Sequence, residues 1–260
     1  IKQHDLLQNR IYIRPAYIIK EYGMTCEEFF SHFNHYKFIF IKMLQYQEEE
    51  ENINISYSIF PMLLLLAHLT PTRTTHHDPI IQQQMITLIQ KCNMNSKYYN
   101  IRYMAAKALI TLIPTNNLYH YLYTLLQYYQ QHIKQFNNNQ HHGILLQLSM
   151  ILQSINIIKK MDLDTFHSCM ILLLQIIQPH FSTITTTILI ADHHINLIKL
   201  LITSIDLLTI YQYDTLIQQY TRFITSYSLN LLKWINHHHY KHHIVIPGIH
   251  LLHQQVIHIL

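Results

Sequence analysis

The stretch YYNIRYMAAKALITLIP, from Tyr98 to Pro114, decides the fold class of this chain. From Ile101 onward its apolar residues recur at the i, i+3, i+4, i+7, i+8 spacing, which places them on one face of an α-helix. Pro114 ends the pattern because proline lacks the amide that a helix interior needs. Small residues at Ala105, Ala106 and Ala108 let a neighbouring helix approach closely. The stretch predicts an amphipathic helix paired with an antiparallel neighbour.

Helical patterns recur along the rest of the chain. Thr25 and Glu28 have the spacing of a capping box, and Asp78 with Pro79 fits an N-cap followed by a first helical residue. We expect Pro61 in the first turn of its helix and a solvated loop at Glu48–Glu51. Besides the helix that starts near Thr25, we predict helices over 35–46, 59–69, 79–92, 101–113, 118–134, 143–159, 165–177, 185–210, 215–235 and 249–260.

About ten helices joined by short polar connections are typical of a HEAT or armadillo-like α-solenoid, in which antiparallel helix pairs stack. We therefore predict an all-α fold in which residues 1–260 form one solenoid segment. The first residue is isoleucine and the opening IKQHDLLQNR resembles neither a signal peptide nor a transit peptide. We expect this segment to be part of a longer chain.

The composition excludes several enzyme classes. Only 3 of the 260 residues are glycine, and Gly23, Gly143 and Gly248 are isolated, so no GxGxxG, P-loop or GxSxG motif exists. The carboxylates are few and unpaired, and no nucleophile stands beside a base and an orienting group, although His167 and Asp164 lie near Cys169. The sequence predicts a protein that is not an enzyme.

The net charge is +4, from 18 basic and 14 acidic side chains. Residues 1–51 hold 6 of the basic and 8 of the acidic side chains, so the remainder has 12 against 6, or +6. Except at Lys159 and Lys160, the basic side chains are scattered instead of forming the stripe that is typical of nucleic-acid domains. The charge permits RNA binding without indicating it.

We expect a cytoplasmic protein with no membrane partner. Apolar runs such as PMLLLLA, from Pro61 to Ala67, are far shorter than the roughly 18 to 20 residues that span a bilayer. The three cysteines, Cys26, Cys92 and Cys169, are widely spaced and form no CxxC pair, which indicates reduced structural thiols.

Three stretches resemble the THADA (thyroid adenoma-associated protein-like) family, in the family's order. Ser56–Thr72 (SYSIFPMLLLLAHLTPT) is similar to SLFPILLLLSRL, Tyr98–Pro114 to YKVREMAAKALVPLI, and Asn137–Leu152 (NNNQHHGILLQLSMIL) to NxxHGxLLQIxxLL. Upstream, Thr25–Leu44 is similar to FFxRYPxLxxFLLxxL, with His-Phe-Asn in place of Arg-Tyr-Pro. The resemblance covers residues 25–152, and 153–260 agree only as further helical repeats.

The resemblance implies a helical-repeat scaffold whose partner is an FtsJ-type tRNA methyltransferase. In that picture the partner binds S-adenosylmethionine and methylates a ribose 2′-hydroxyl in the tRNA anticodon loop, while the scaffold positions the tRNA. The chain itself would need no cofactor. A generic HEAT-type protein–protein adaptor with no RNA role is the competing hypothesis.

Arg102 occupies the arginine position of the family motif that also includes Ala105, Ala106 and Leu109. We interpret it as a structural brace between adjacent repeats, bonded to a carboxylate or to helix-end carbonyls. The alternative is an RNA phosphate contact shared with Lys97 and Lys107, because a guanidinium matches two phosphate oxygens.

His142, Gly143, Leu146 and Gln147 match the family's HGxLLQ core, where glycine allows close backbone approach at a helix start. We favour packing over ligand contact for this group. His238 with His242, and His239 with His243, have the i, i+4 spacing of a zinc or nickel pair. With 22 histidines in the chain and no Cys or carboxylate nearby, we interpret that cluster as an adventitious metal binder and predict no physiological metal.

Overall fold

The computed structural model describes residues 23–49, 53–71, 79–158, 163–181, 191–237 and 249–259. Within these ranges the regular structure is helical, apart from one isolated parallel bridge between Thr25 and Thr70. The predicted all-α fold is confirmed. Asp78, the predicted N-cap, lies outside the described residues.

The chain divides into two compact units, one with residues 1–118 and 137–150, the other with 119–136 and 151–260. The single solenoid segment over 1–260 stays a prediction. The helices in chain order are α1 Cys26–His32, α2 His35–Glu49, α3 Ile53–Ala67, α4 Pro79–Asn95, α5 Tyr99–Leu112, α6 Leu118–His132, α7 Asn138–Ile158, α8 Leu163–Phe181, α9 Ala191–Ile210, α10 Asp214–Ile235 and α11 Ile249–Ile259, with a 3₁₀ turn at Thr115–Asn117.

In the first unit, hydrogen bonds between side chains and backbone give the directions of the helices. Gln82 at the start of α4 donates to the carbonyl of Leu112 at the end of α5, and α4 and α5 are therefore antiparallel. Thr111 near the end of α5 donates to the carbonyl of Leu66 near the end of α3, 3.0 Å away, so these two helices run in the same direction. Helix α5 packs against both α3 and α4. This alternation is the arrangement expected of stacked helix pairs.

In the second unit, α8 and α10 also run in the same direction. The Tyr213 hydroxyl, just before α10, donates to the carbonyl of Leu163 at the start of α8 over 3.1 Å. Seven residues further along each segment, the buried Tyr220 hydroxyl donates to the carbonyl of Met170 over 2.7 Å. Two matched bonds of this kind fix a parallel register between next-nearest helices.

The starts of α1, capped by Thr25, and of α4, at Pro79, are those predicted from the sequence. Glu28 N donates to Thr25 Oγ1 over 3.2 Å and Thr25 N donates to Glu28 Oε2 over 2.8 Å, which confirms the predicted capping box of α1. Helix α4 begins at Pro79, as predicted. Behind α1, an aromatic cluster fills the core with α2, formed by Phe29, Phe30, Phe33, Tyr36 and Phe40.

Two local predictions are wrong. Helix α3 begins at Ile53, so Pro61 lies in its interior instead of in its first turn, and the carbonyl of Tyr57 lacks its usual helical partner. Helix α2 continues through Glu48 and Glu49, because glutamate is a good helix former and a run of it does not end a helix. Glu50 and Glu51 lie outside the described residues.

Within the described part of the chain, no helix has the combined length and apolar character that crossing a bilayer requires.

Candidate functional site

Arg102 lies in the first turns of α5, buried, with its side chain directed at two other elements. Its Nε donates to Nδ1 of His142 over 3.0 Å. One terminal nitrogen donates to the carbonyl of Ser96, 2.7 Å away, and to Oδ1 of Asn139, 3.1 Å away. Because Nδ1 of His142 accepts, that imidazole is neutral with its proton on Nε2. The guanidinium thus connects the end of α4, the start of α5 and the start of α7.

The start of α7 is built by a second capping box, which sequence analysis missed. The backbone amide of Gln140 donates to Oδ1 of Asn137 over 3.0 Å, and that of Asn137 donates to Oε1 of Gln140 over 2.9 Å. This reciprocal pair starts the helix at Asn138 and therefore places Asn139 and His142 in its first turns. The Asn-x-x-Gln spacing was the available signal.

Gly143 is inside α7, not at its start, so the prediction of a helix start there is wrong. The predicted close approach is present nevertheless. A Cβ at this position would clash with the backbone carbonyl of Asn93 and lie 2.8 Å from its Oδ1, which shows how tightly the two helices meet. Glycine is needed here for space rather than for an unusual φ.

Asn93 completes the junction from α4. Its side-chain amide donates to the carbonyl of Arg102 over 2.8 Å, and its Oδ1 accepts a hydrogen bond from Nε2 of Gln147. Asn93 and Gln147 are buried, so these bonds satisfy polar groups that would otherwise be costly in the core. We call the set the Arg102 cluster, and it consists of Asn93, Ser96, Arg102, Asn139, His142 and Gln147.

The apolar residues of the family motif lie on the same helices as Arg102 and His142. Ala105, Ala106 and Leu109 on α5 and Leu146 on α7 are buried. Helix α5 packs against α3 and α4, and the burial of its alanines is as expected for small residues on a closely packed helix. Hydrogen bonds directly and through Asn93 join the motif residues Arg102, His142 and Gln147, which are separated in sequence, into one junction.

The two lysines of the RNA hypothesis have different surroundings. Lys97 is exposed in the α4–α5 connection, whereas Lys107 is half-buried in α5. Lys107 follows Arg102 by five residues, which turns it about 140° around the helix axis. The guanidinium of Arg102 would have to leave its present partners to reach RNA. The geometry favours the bracing interpretation, with carbonyl, amide and imidazole acceptors.

Sequence reasoning missed Asn93, Ser96 and Asn139 in this cluster. In a chain rich in Asn, nothing distinguishes a buried asparagine from a solvated one. Nearby, the Tyr99 ring packs 5.4 Å from His142 and stacks 6.1 Å from Tyr103, so Tyr103 occupies the position after Arg102 as a stacking side chain.

Outside the Arg102 cluster, the cysteines and the possible metal ligands are the other candidates for chemistry. Burial raises the pKa of Cys169 to about 12 and that of Cys26 further, and both thiols are therefore protonated and poor nucleophiles. No group of three or more His, Cys, Asp or Glu among the described residues could hold a metal ion. The pairs His238/His242 and His239/His243 lie outside the described residues.

A family model described as Trm732, C-terminal TPR repeats, matches residues 14–151. No curated protein and no solved structure is significantly similar to the chain. The matched region includes the three ordered motifs except for Leu152, and it includes the whole Arg102 cluster. Trm732 is a THADA-like protein, so the match confirms the resemblance to the THADA family. Because the match covers just over half of the 260 residues, this chain belongs to the family of Trm732 C-terminal helical repeats.

Proposed function

We propose that this chain is a non-catalytic scaffold that supports 2′-O-ribose methylation in the tRNA anticodon loop by a partner FtsJ-type methyltransferase. The family match over residues 14–151 carries the proposal, since that family is associated with tRNA modification. The described helices are consistent with a scaffold, because their motif residues serve a buried junction.

In this proposal the two proteins divide the work. The partner binds S-adenosylmethionine and transfers the methyl group, and this chain holds no cofactor. The repeats position the tRNA so that the target ribose reaches the partner's active site, which is catalysis by orientation. We place both proteins in the cytoplasm.

Reconstitution tests the proposal. The chain and the FtsJ-type enzyme of the same organism are purified separately, and each is assayed alone and together on tRNA from cells that lack this chain. The readout is 2′-O-methylated nucleoside, identified by mass spectrometry after digestion. We expect methylation in the mixture, and little with either protein alone or with a heat-denatured chain.

Two results would contradict the proposal in different ways. Full activity of the methyltransferase alone would remove the need for a scaffold, and methylation by this chain alone would make it the enzyme. Stable binding to other proteins, with no tRNA and no methylation in the complexes, would favour the generic adaptor.

A further inference from the structure

The two arginines in the described part of the chain have opposite surroundings. Arg102 is buried and bonded to several groups. Arg222, on α10, is exposed and forms no hydrogen bond or ion pair with any described residue. The guanidinium of Arg222 is therefore accessible to a ligand, whereas that of Arg102 is occupied by its hydrogen bonds within the core.

Arg222 lines a groove of about 530 Å³ between α8 and α10 of the second unit. The polar lining consists of Gln178 from α8 and of Gln219, Arg222, Ser226 and Asn230 from α10. All five are exposed, and none forms a hydrogen bond or ion pair within the described residues. Phe223 and Tyr227, two further lining residues, are buried and stacked 5.9 Å apart, which gives the groove a firm apolar base.

The polar residues of α10 form one stripe. Gln219, Arg222, Ser226 and Asn230 are spaced by three or four residues, and the exposed Lys233 follows at the same spacing. Lys233 and Arg222 line an adjoining hollow together. Eleven residues separate the two cations, or about 16 Å along the helix. They would therefore contact different phosphates of a strand, with neutral donors between them.

Neither α8 nor α10 places an acidic side chain beside the groove that would neutralise the positive charge of Arg222. The acidic residue of α10 is Asp214 at its first position, and that of α8 is Asp164 in its first turn. Asp214 is two turns before Arg222, and Asp164 is about four turns before Gln178. Two cations with amide and hydroxyl groups between them match the donors that bind phosphate and ribose oxygens.

We propose that this groove binds the sugar-phosphate backbone of RNA, with Arg222 and Lys233 on phosphates and Gln178, Gln219, Ser226 and Asn230 on phosphate or ribose oxygens. The identification of that RNA as tRNA rests on the proposed function. The groove lies beyond residue 151, outside the region that the family model matches. The proposal therefore assigns an RNA-binding role to the second unit, which the family motif does not include.

Filter binding of transcribed tRNA to the purified chain, measured across a range of salt concentrations, tests the proposal. The variant Arg222→Ala/Lys233→Ala removes two charges from the stripe, and Lys134→Ala/Lys199→Ala removes two exposed charges elsewhere in the second unit. We expect the first variant to bind about tenfold more weakly at about 0.1 M salt, with a log–log salt slope smaller by about 1.5. The second should bind nearly as well as the wild type.

A neutral variant separates the groove from general electrostatics. Gln178→Ala/Asn230→Ala should weaken tRNA binding and leave the salt slope unchanged, because a neutral amide neutralises no phosphate and so releases no counterion. Circular dichroism should show the same unfolding midpoint for all three variants and the wild type, since the altered side chains are exposed.

Equal affinities and slopes for the two charge variants would overturn the proposal. Unchanged tRNA binding with loss of a protein partner in the Arg222→Ala/Lys233→Ala variant would overturn it in favour of an acidic protein surface. Groove-dependent tRNA binding without methylation in the reconstituted mixture would support the groove and contradict the proposed function. Methylation in the mixture, with tRNA binding that does not depend on the groove, would support the proposed function and contradict the groove.

Discussion

At the scale of single residues, the buried polar side chains around Arg102 are held by hydrogen bonds to one another and to backbone carbonyls. The sequence indicated that Arg102 matters, because Arg102 occupies the arginine position of the family motif. It gave no sign of Asn93 or Asn139, because an asparagine becomes distinctive only when a fold buries it. Long-range hydrogen bonds such as Arg102 to His142, 40 residues apart, depend on how helices stack and have no local signature.

We predict that Arg102→Ala lowers the free energy of unfolding by about 2–4 kcal/mol, because the buried carbonyl of Ser96 and Nδ1 of His142 lose a charged donor. Arg102→Lys should recover little of this, since an ammonium cannot reproduce the planar fork. Urea unfolding of these variants is the measurement. The exposed Arg222→Ala is the control and should change the unfolding free energy by no more than about 0.5 kcal/mol. Unchanged stability of Arg102→Ala with loss of tRNA binding would instead support the phosphate-contact hypothesis.

At the scale of helices, the apolar spacing predicted where helices lie more accurately than where they begin. The face from Ile101 to Leu112 needed no tertiary information. Helices α3 and α7 each begin five or six residues earlier than predicted, at Ile53 and Asn138. The first turn of α7 is polar, and that of α3, INIS, mixes apolar and polar residues. Neither turn extends the apolar helical spacing, so it is indistinguishable from a loop unless its cap is recognised.

The cap of α1 contains an ionisable group, which makes that helix sensitive to acid. Hydrogen bonds from the backbone amide and then the hydroxyl of Thr25 lower the pKa of Glu28. A carboxylate with a lowered folded-state pKa stabilises the native state above its unfolded value, and this contribution is lost as pH falls through the folded value.

We therefore predict that the thermal midpoint of the wild type falls between neutral pH and about pH 3 more steeply than that of Glu28→Gln. Glu27→Gln removes the same charge from the same turn without altering the cap, so it should retain the wild-type slope. Parallel slopes for the wild type and Glu28→Gln would mean that the cap adds no acid dependence.

At the scale of the whole molecule, several phenols and thiols are buried in a chain that has few charged residues. Only 12% of the residues are charged, whereas 19 are tyrosine. Burial is the first cause of the raised pKa values of Tyr129, Tyr220 and Tyr227, and it raises that of Cys169 to about 12. Composition predicted the weak charge, but which tyrosines are buried depends on the helix register, as at Tyr220.

These groups predict unfolding in alkali. In the unfolded chain thiols ionise near 9.0 and phenols near 10.0, whereas the buried groups stay neutral at those pH values. Their stabilising contribution is complete below the unfolded pKa and declines as pH rises toward the folded pKa. We expect the buried tyrosines to ionise together with the loss of helical circular dichroism above about pH 10. Complete ionisation of tyrosine with full helicity would contradict this.

The contact between Gly143 and Asn93 also has a genetic consequence. Every missense change at a glycine codon introduces at least a Cβ, and here the first atom it meets is a backbone carbonyl that no second mutation can remove. Codon 143 should therefore be intolerant of all amino-acid replacements in a population, with no suppressor at codon 93. Codons 222 and 233, whose side chains are exposed, should vary freely in any lineage that has lost the need to bind RNA.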